Sequence, residues 1–164
     1  MKWVLAAVVS AFLAGFVYLQ FHSVKTSYIN GLAPYTNLPG HGFILEQDCY
    51  VFKFKAHDSD WPLIGSHEAV PQLPERVSAA NVGADMPGVR ILDVLKVGDH
   101  FRIASVRRDE SRAGTTITFE IALADEATRK YPRLDAFWIM DHAPEKTGAA
   151  PWIQTHFAVP EGKE

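Results

Sequence analysis

The segment "TTITFEIAL" (Thr115–Leu123) decides the fold class, because apolar and polar residues alternate along its whole length. In an extended chain successive side chains point to opposite sides, so Phe119 and Glu120 are predicted to lie on opposite faces. The pattern favours a strand with one face in the core and the other in solvent, as in an antiparallel sheet. The inward set is Ile117, Phe119, Ile121 and Leu123, and the outward set is Thr116, Thr118 and Glu120.

Other segments of the chain carry the same kind of pattern. In residues 43–56, Tyr50 and Phe52 alternate with Val51 and Lys53, which predicts another half-buried strand or a hairpin. Further strands are predicted within residues 89–110, 133–141 and 152–160. Since outside the N-terminal region no long helix is predicted, the sequence indicates a mainly β fold, a small antiparallel barrel or sandwich.

Residues 57–88 interrupt this regularity with four prolines, Pro62, Pro71, Pro74 and Pro87. Proline lacks the backbone N–H that a ladder requires, so neither a long helix nor a central strand is predicted here. Irregular segments of this length within a compact domain are often functional. We therefore expect a binding surface in this segment.

Part of the chain resembles a known family. In "GVRILDVLKVGDHFRIASV" (residues 88–106) a glycine turn separates two apolar runs, as in the middle of bacterial SH3-like modules. The matching residues are Val94, Leu95, Gly98, Phe101, Ile103 and, further along the chain, Trp138. The resemblance covers a small part of the chain and lacks the family's opening segment. It implies an SH3-like barrel and transfers no functional residue.

Charge and cysteine content exclude several classes of protein. The formal net charge is −3 and the pI is near 6.1, so the clustered basic surface typical of nucleic-acid-binding proteins is not expected. The single cysteine, Cys49, excludes an intrachain disulfide. Its strand-like apolar neighbours predict a buried thiol.

The N-terminal region predicts a membrane anchor. Residues 3–21 carry no charge and, at 1.5 Å per residue, about 19 residues span a bilayer core. The tripeptide Leu13-Ala14-Gly15 precedes Phe16, so the cysteine that a lipoprotein signal requires is absent. We expect a signal anchor at residues 1–25, a tether at 26–42 and an exported β-rich domain at 43–160, with cleavage of the anchor as the alternative. The protein is then a single-pass inner-membrane protein whose bulk lies in the periplasm or outside the cell.

Catalytic and metal motifs are weak. Among seven histidines, His57 and His67 lie near Asp60, but "HEAVPQ" (residues 67–72) has proline where a helical zinc motif requires histidine. There is no nucleophile elbow, and the carboxylates beside Cys49 would raise the pKa of its thiol. We predict no metal, no cofactor and no catalytic residue.

Surface recognition remains as the predicted activity. Trp61, Leu63 and Ile64 in the proline-rich segment are candidate binding residues, with Trp152 as a second aromatic anchor. Alternatively, both tryptophans close the ends of a barrel. Arg107 and Arg108 open a predicted charged loop that ends at Gly114, suited either to an acidic partner or lipid headgroups or to a solvated hairpin tip.

These observations predict a membrane-anchored binding module of the bacterial cell envelope, acting by protein–protein interaction on an unidentified envelope protein. An assembly factor or an inhibitor or immunity-type protein fits this description. The alternative is a small envelope hydrolase that uses His57, Asp60 and His67. An enzyme requires those side chains to converge in a pocket, whereas a binding module requires an accessible surface around Trp61 or Trp152.

Overall fold

The computed structural model describes residues 24–56, 61–111, 114–124, 130–142, 148–149 and 151–162. The predicted mainly β fold is confirmed, and the helical elements of the described residues are short 3-10 turns. The strands are β1 (Lys25–Tyr28), β2 (Gly42–Leu45), β3 (Cys49–Phe54), β4 (Leu63–Gly65), β5 (Asp85–Met86), β6 (Val89–Leu95), β7 (His100–Ser111), β8 (Gly114–Leu123), β9 (Leu134–Asp135), β10 (Met140–Asp141), β11 (Trp152–Ile153) and β12 (Ala158–Pro160). The 3-10 turns are Tyr35–Asn37, Ala79–Asn81 and Phe137–Ile139.

One curled, open sheet contains most of these strands and forms a half-barrel. Its order is β12-β2-β7-β8-β9-β4-β3-β6-β5, β1 pairs with β7, and β10 and β11 form a separate pair. The sheet is mixed, because Leu63 of β4 pairs in parallel with Asp135 of β9. The predicted purely antiparallel arrangement is therefore wrong at this pair, which joins the two halves of the sheet.

The glycine turn of the SH3-like segment is present but does not form a hairpin. Gly98 has a φ of +89°, and the N–H of Asp99 donates to the carbonyl of Lys96 (3.0 Å). The two strands it connects lie far apart in the sheet, since β6 pairs with β3 and β5 whereas β7 pairs with β1, β2 and β8. The turn is a tight connection between the two halves.

Strand β8 is exposed at its start, including Thr116 as predicted, but is buried on both faces from Thr118 to Ile121. Phe119 and Ile121 belong to the main core, as their pattern predicts. Thr118 and Glu120 are also buried, at 5% and 6% exposed, so the expectation that they face solvent is wrong. Glu120 is shielded from solvent by its neighbours in the sheet. These are Ser105 on β7 and Asp135 on β9, which are buried polar residues themselves.

Strand β3 also separates two apolar clusters. Cys49 and Val51 face the main core, whereas Tyr50 and Phe52 face a smaller cluster. The alternation of this strand is thus as predicted, but it is buried on both faces along most of its length. Val70 and Leu73 of the proline-rich segment complete the smaller cluster.

The proline-rich segment is therefore part of the domain's framework. It supplies β4, which lies inside the sheet between β9 and β3, so the prediction that it contains no central strand is wrong. Tyr50 ties the later part of the segment down: its hydroxyl donates to the carbonyl of Arg76 (2.8 Å) and accepts from Asn81 Nδ2 (2.6 Å). These bonds compensate for the segment's lack of regular structure.

The segment predicted as a tether, residues 26–42, also packs onto the domain. Strand β1 pairs with β7 from Lys25, which was expected to end the anchor, to Tyr28. Ile29 and Leu38 are buried, at 2% and 0% exposed. The anchor predicted at residues 3–21 lies outside the described residues, and within the described part of the chain no helix is long and apolar enough to span a membrane.

Candidate binding site around Trp61

Two clefts meet at Trp61. The first, here called the Asp135 cleft, has a volume of about 540 Å³ and is lined by residues that include Phe54, Trp61, Leu63, Arg107, Asp135 and Trp138. The second, here called the basic cleft, has a volume of about 610 Å³ and is lined by residues that include Lys53, Trp61, Arg90, Lys130, Tyr131 and Arg133. Both volumes fall in the range of small-ligand sites.

The wall of the Asp135 cleft is aromatic. Phe54 meets Trp138 with ring centroids 5.8 Å apart, and Phe137 meets Trp138 at 5.6 Å, both edge to face. Such edge-to-face pairs are the preferred geometry of aromatic side chains. Because these rings support one another, the wall is formed before any ligand arrives.

Two guanidinium groups position Trp61. The Cζ atoms of Arg107 and Arg133 lie 4.4 Å and 4.9 Å from the centre of the Trp61 ring, within the range of a cation–π interaction. Arg107 also pairs with Asp109 at 2.9 Å. The carboxylate of Asp109 balances the positive charge of Arg107 within the Asp135 cleft. Arg133, by contrast, lines the basic cleft.

Asp135 is the buried acid of the first cleft. Its side chain lines the cleft although the residue is only 9% exposed, and Oδ1 accepts hydrogen bonds from the N–H groups of Phe137 (3.0 Å) and Phe119 (3.1 Å). Burial raises the pKa of Asp135 to about 6, although these hydrogen bonds and the charge of Arg107 favour ionisation. The nearby Glu120 carboxyl group contributes a smaller part of the same upward shift. Asp135 therefore titrates close to neutral pH.

Glu120 stands beside Asp135 on the adjacent strand. Its Oε2 accepts a hydrogen bond from the Ser105 hydroxyl, while its Oε1 is buried with no hydrogen-bond partner among the described residues. Buried carboxyl groups are ordinarily compensated by partners. Two acids thus lie side by side on adjacent strands, and Oε1 of Glu120 is the carboxyl oxygen that lacks a hydrogen-bond partner among the described residues.

The basic cleft has the opposite character. Lys53, Arg90, Lys130 and Arg133 line it together with Trp61 and Tyr131, and among the described residues no carboxylate lines it. Lys53 of β3 and Arg90 of β6 are direct cross-strand partners. Asp93 lies nearby and pairs with Lys130 at 2.5 Å.

The structure brings three of the six predicted binding residues together. Trp61, Leu63 and Arg107 all line the Asp135 cleft. Ile64 is fully buried in the main core, at 0% exposed. Trp152 lies outside both clefts and packs on Phe43, with the ring centroids 5.4 Å apart.

Arg107 and Arg108 are strand residues. Strand β7 continues through Ser111, which pairs with Gly114. The prediction of a charged loop that opens at Arg107 is therefore wrong. Alternation along the strand then separates the two arginines. Arg107 lines the Asp135 cleft, whereas Arg108 pairs with Glu110, with Nε and Oε1 3.0 Å apart.

The residues of the alternative hydrolase are not brought together within the described chain. His57 and Asp60 lie outside the described residues, and Nδ1 of His67 donates to the carbonyl of Leu73 (2.6 Å). Among the described residues no group of three or more potential ligands is arranged to hold a metal ion. Cys49 is buried as predicted, and burial raises the pKa of its thiol to about 12, with a further contribution from Asp48.

Sequence reasoning missed Asp135, Glu120 and Arg133. Glu120 occupies a polar position of an alternating strand, a pattern typical of solvent exposure. Asp135 precedes "AFW" (residues 136–138), and a carboxylate beside an aromatic run is a weak signal of a buried acid. Arg133 acquires its role only because β9 lies beside β4 in the sheet.

No family model, no curated protein and no solved structure matches this chain.

Proposed function

We propose that this chain is a binding module that holds a cationic side chain of a partner protein in the Asp135 cleft. The observation that carries the proposal is a buried carboxyl group, Asp135, at the surface of an aromatic-walled cleft. Its partner is an envelope protein, and its action is occupancy of a surface rather than catalysis. An assembly factor and an inhibitor both work in this way.

The chemistry of the cleft favours a lysine or arginine side chain as the bound group. A cation gains from the aromatic wall formed by Phe54, Phe137 and Trp138 and from the charge of Asp135. Because Arg107 already pairs with Asp109, the remaining charge of the cleft is negative above the pKa of Asp135. A bound cation also compensates the desolvation that raises this pKa.

The predicted cellular location is part of the same proposal. A helix over residues 3–21 anchors the chain in the inner membrane, and the β-rich domain lies in the periplasm or on the extracellular side. Strand β1 starts at Lys25, so little chain separates the proposed anchor from the sheet. The domain then works close to the membrane surface.

Site-specific photo-crosslinking in the native envelope tests this function. A photoreactive amino acid replaces Leu63, which lines the cleft, in the full chain, and a matched probe replaces Val97, which is 60% exposed on the Gly98 turn. We expect the probe at position 63 to cross-link to a partner protein, at a peptide that contains a lysine or arginine. The probe at position 97 should give no adduct of the same mass. The adduct should weaken when Asp135→Asn is added.

Two results would refute the proposal. One is an adduct from position 63 that Asp135→Asn leaves unchanged, since the carboxylate then has no part in recognition. The other is the same adduct from both positions, since contact is then unspecific. Circular dichroism of each variant shows whether the fold is retained.

A further inference from the structure

We propose that the basic cleft is a second site, which binds a phosphate ester. Its described lining residues include four cations, Lys53, Arg90, Lys130 and Arg133, on a chain whose formal net charge is −3. Such a concentration of positive charge on an acidic protein is the electrostatic signature of an anion site. The site lies beside the Asp135 cleft, and the argument for it does not depend on the identity of the proposed protein partner.

The strand register supports an anionic ligand. Lys53 and Arg90 are direct partners across the β3–β6 pair, and both line the cleft. Like charges directly opposite each other in a sheet are destabilising. Asp85 flanks Arg90 on its other side, across the β5–β6 pair, and an anion that contacts both Lys53 and Arg90 lowers the repulsion between them further.

Two acids lie near these cations: Asp93, and Asp85, which is the cross-strand partner of Arg90 on β5 and pairs with Lys55. Asp93 pairs with Lys130 at 2.5 Å. Burial opposes ionisation of Asp93, but hydrogen bonds from Lys130 and from the Val94 N–H outweigh it and lower the pKa of this carboxyl group. Arg90 and Arg133 remain as exposed guanidinium groups on two sides of the cleft, on β6 and just before β9.

The number of cations favours phosphate over carboxylate. A phosphate monoester carries close to two negative charges at neutral pH and three acceptor oxygens, so it can contact several cations at once. A carboxylate has one charge and two oxygens, which one arginine saturates. The Trp61 and Tyr131 side chains add aromatic surface for the organic part of the ester.

Titration of the purified full chain, in a neutral detergent, tests the site. The probe is phenyl phosphate and the comparison is benzoate, which has the same ring but a carboxylate. We expect phenyl phosphate to bind at least about tenfold more tightly, and binding to weaken as salt is added. Isothermal titration calorimetry measures both affinities.

Variants locate the site. Arg90→Gln and Arg133→Gln should each weaken phenyl phosphate binding about tenfold, as expected for loss of one charge-assisted contact. Arg76→Gln removes the same charge from an exposed arginine that does not line the cleft and should change the affinity less than about twofold. Asp135→Asn should likewise leave it within about twofold, which separates this site from the proposed protein-binding cleft.

A competition experiment identifies the source of the ester. Displacement of phenyl phosphate by short-chain phosphatidic acid at lower concentration than by glycerol phosphate, both of them phosphate monoesters, indicates a lipid headgroup, and the reverse order indicates a soluble ester. The proposal is overturned if phenyl phosphate does not bind, if benzoate binds as tightly, or if Arg76→Gln weakens binding as much as Arg90→Gln.

Discussion

Replacement of Asp135 by asparagine should change how the stability of this protein depends on pH. Burial raises the pKa of Asp135 from 3.8 to about 6 in the native state. Between these values the native state binds more protons than the unfolded chain, so the free energy of unfolding falls as the pH rises. Above about pH 6 the loss is complete.

The expected magnitude follows from the size of the shift. One pKa unit corresponds to about 1.4 kcal/mol, so Asp135 lowers the free energy of unfolding by about 3 kcal/mol between the two values. Asparagine retains an Oδ1 acceptor for the N–H groups of Phe119 and Phe137 but does not ionise. The difference in unfolding free energy, variant minus wild type, should therefore grow by about 3 kcal/mol from acid to neutral pH.

Urea unfolding followed by tryptophan fluorescence at a series of pH values measures this difference. Other titrating groups affect both proteins equally and cancel. Asp93→Asn is a control of opposite sign: the lowered pKa of Asp93 stabilises the native state above the unfolded pKa, and that contribution is lost as the pH falls. A difference for Asp135→Asn that stays constant across the series would show that burial does not suppress ionisation of this acid.

Three further predictions concern the framework. Tyr50→Phe leaves the Asn81 amide without its acceptor, so it should lower the free energy of unfolding by about 1–3 kcal/mol and speed proteolysis within residues 71–84. Unchanged proteolysis would contradict this role of the Tyr50 hydroxyl. Phe119→Ala should lower the free energy of unfolding in urea by about 3–5 kcal/mol because the ring is fully buried, whereas exposed Val97→Ala should change it by less than about 0.5 kcal/mol. Equal effects of the two substitutions would contradict the assignment of the core. Cys49 should react with a thiol reagent only on unfolding, and prompt labelling of the native protein would contradict its burial.

The sequence predicts elements well where the pattern is local and poorly where pairing is distant. Phe119 and Ile121 occupy the core because alternation within β8 is enough to place them. The burial of Glu120 depends on Ser105 and Asp135 of the flanking strands, and no local pattern encodes that pairing. Likewise β4 is only three residues long, so its place inside the sheet follows from its neighbours rather than from its own residues.

The candidate site is predictable only in part for the same reason: the sequence indicates Trp61, Leu63 and Arg107 but not Asp135 or Arg133. Trp61 was accessible to sequence reasoning because a tryptophan in a proline-rich segment is conspicuous. The contacts that hold Trp61 are not predictable in the same way, because Arg107 lies on β7 and Arg133 just before β9, and the two meet only over the Trp61 ring. That ring lines both clefts, one containing a buried acid and the other four cations. Because a single side chain contributes to both walls, a ligand that moves Trp61 in one cleft should alter affinity in the other, and the coupling must be equal in both directions.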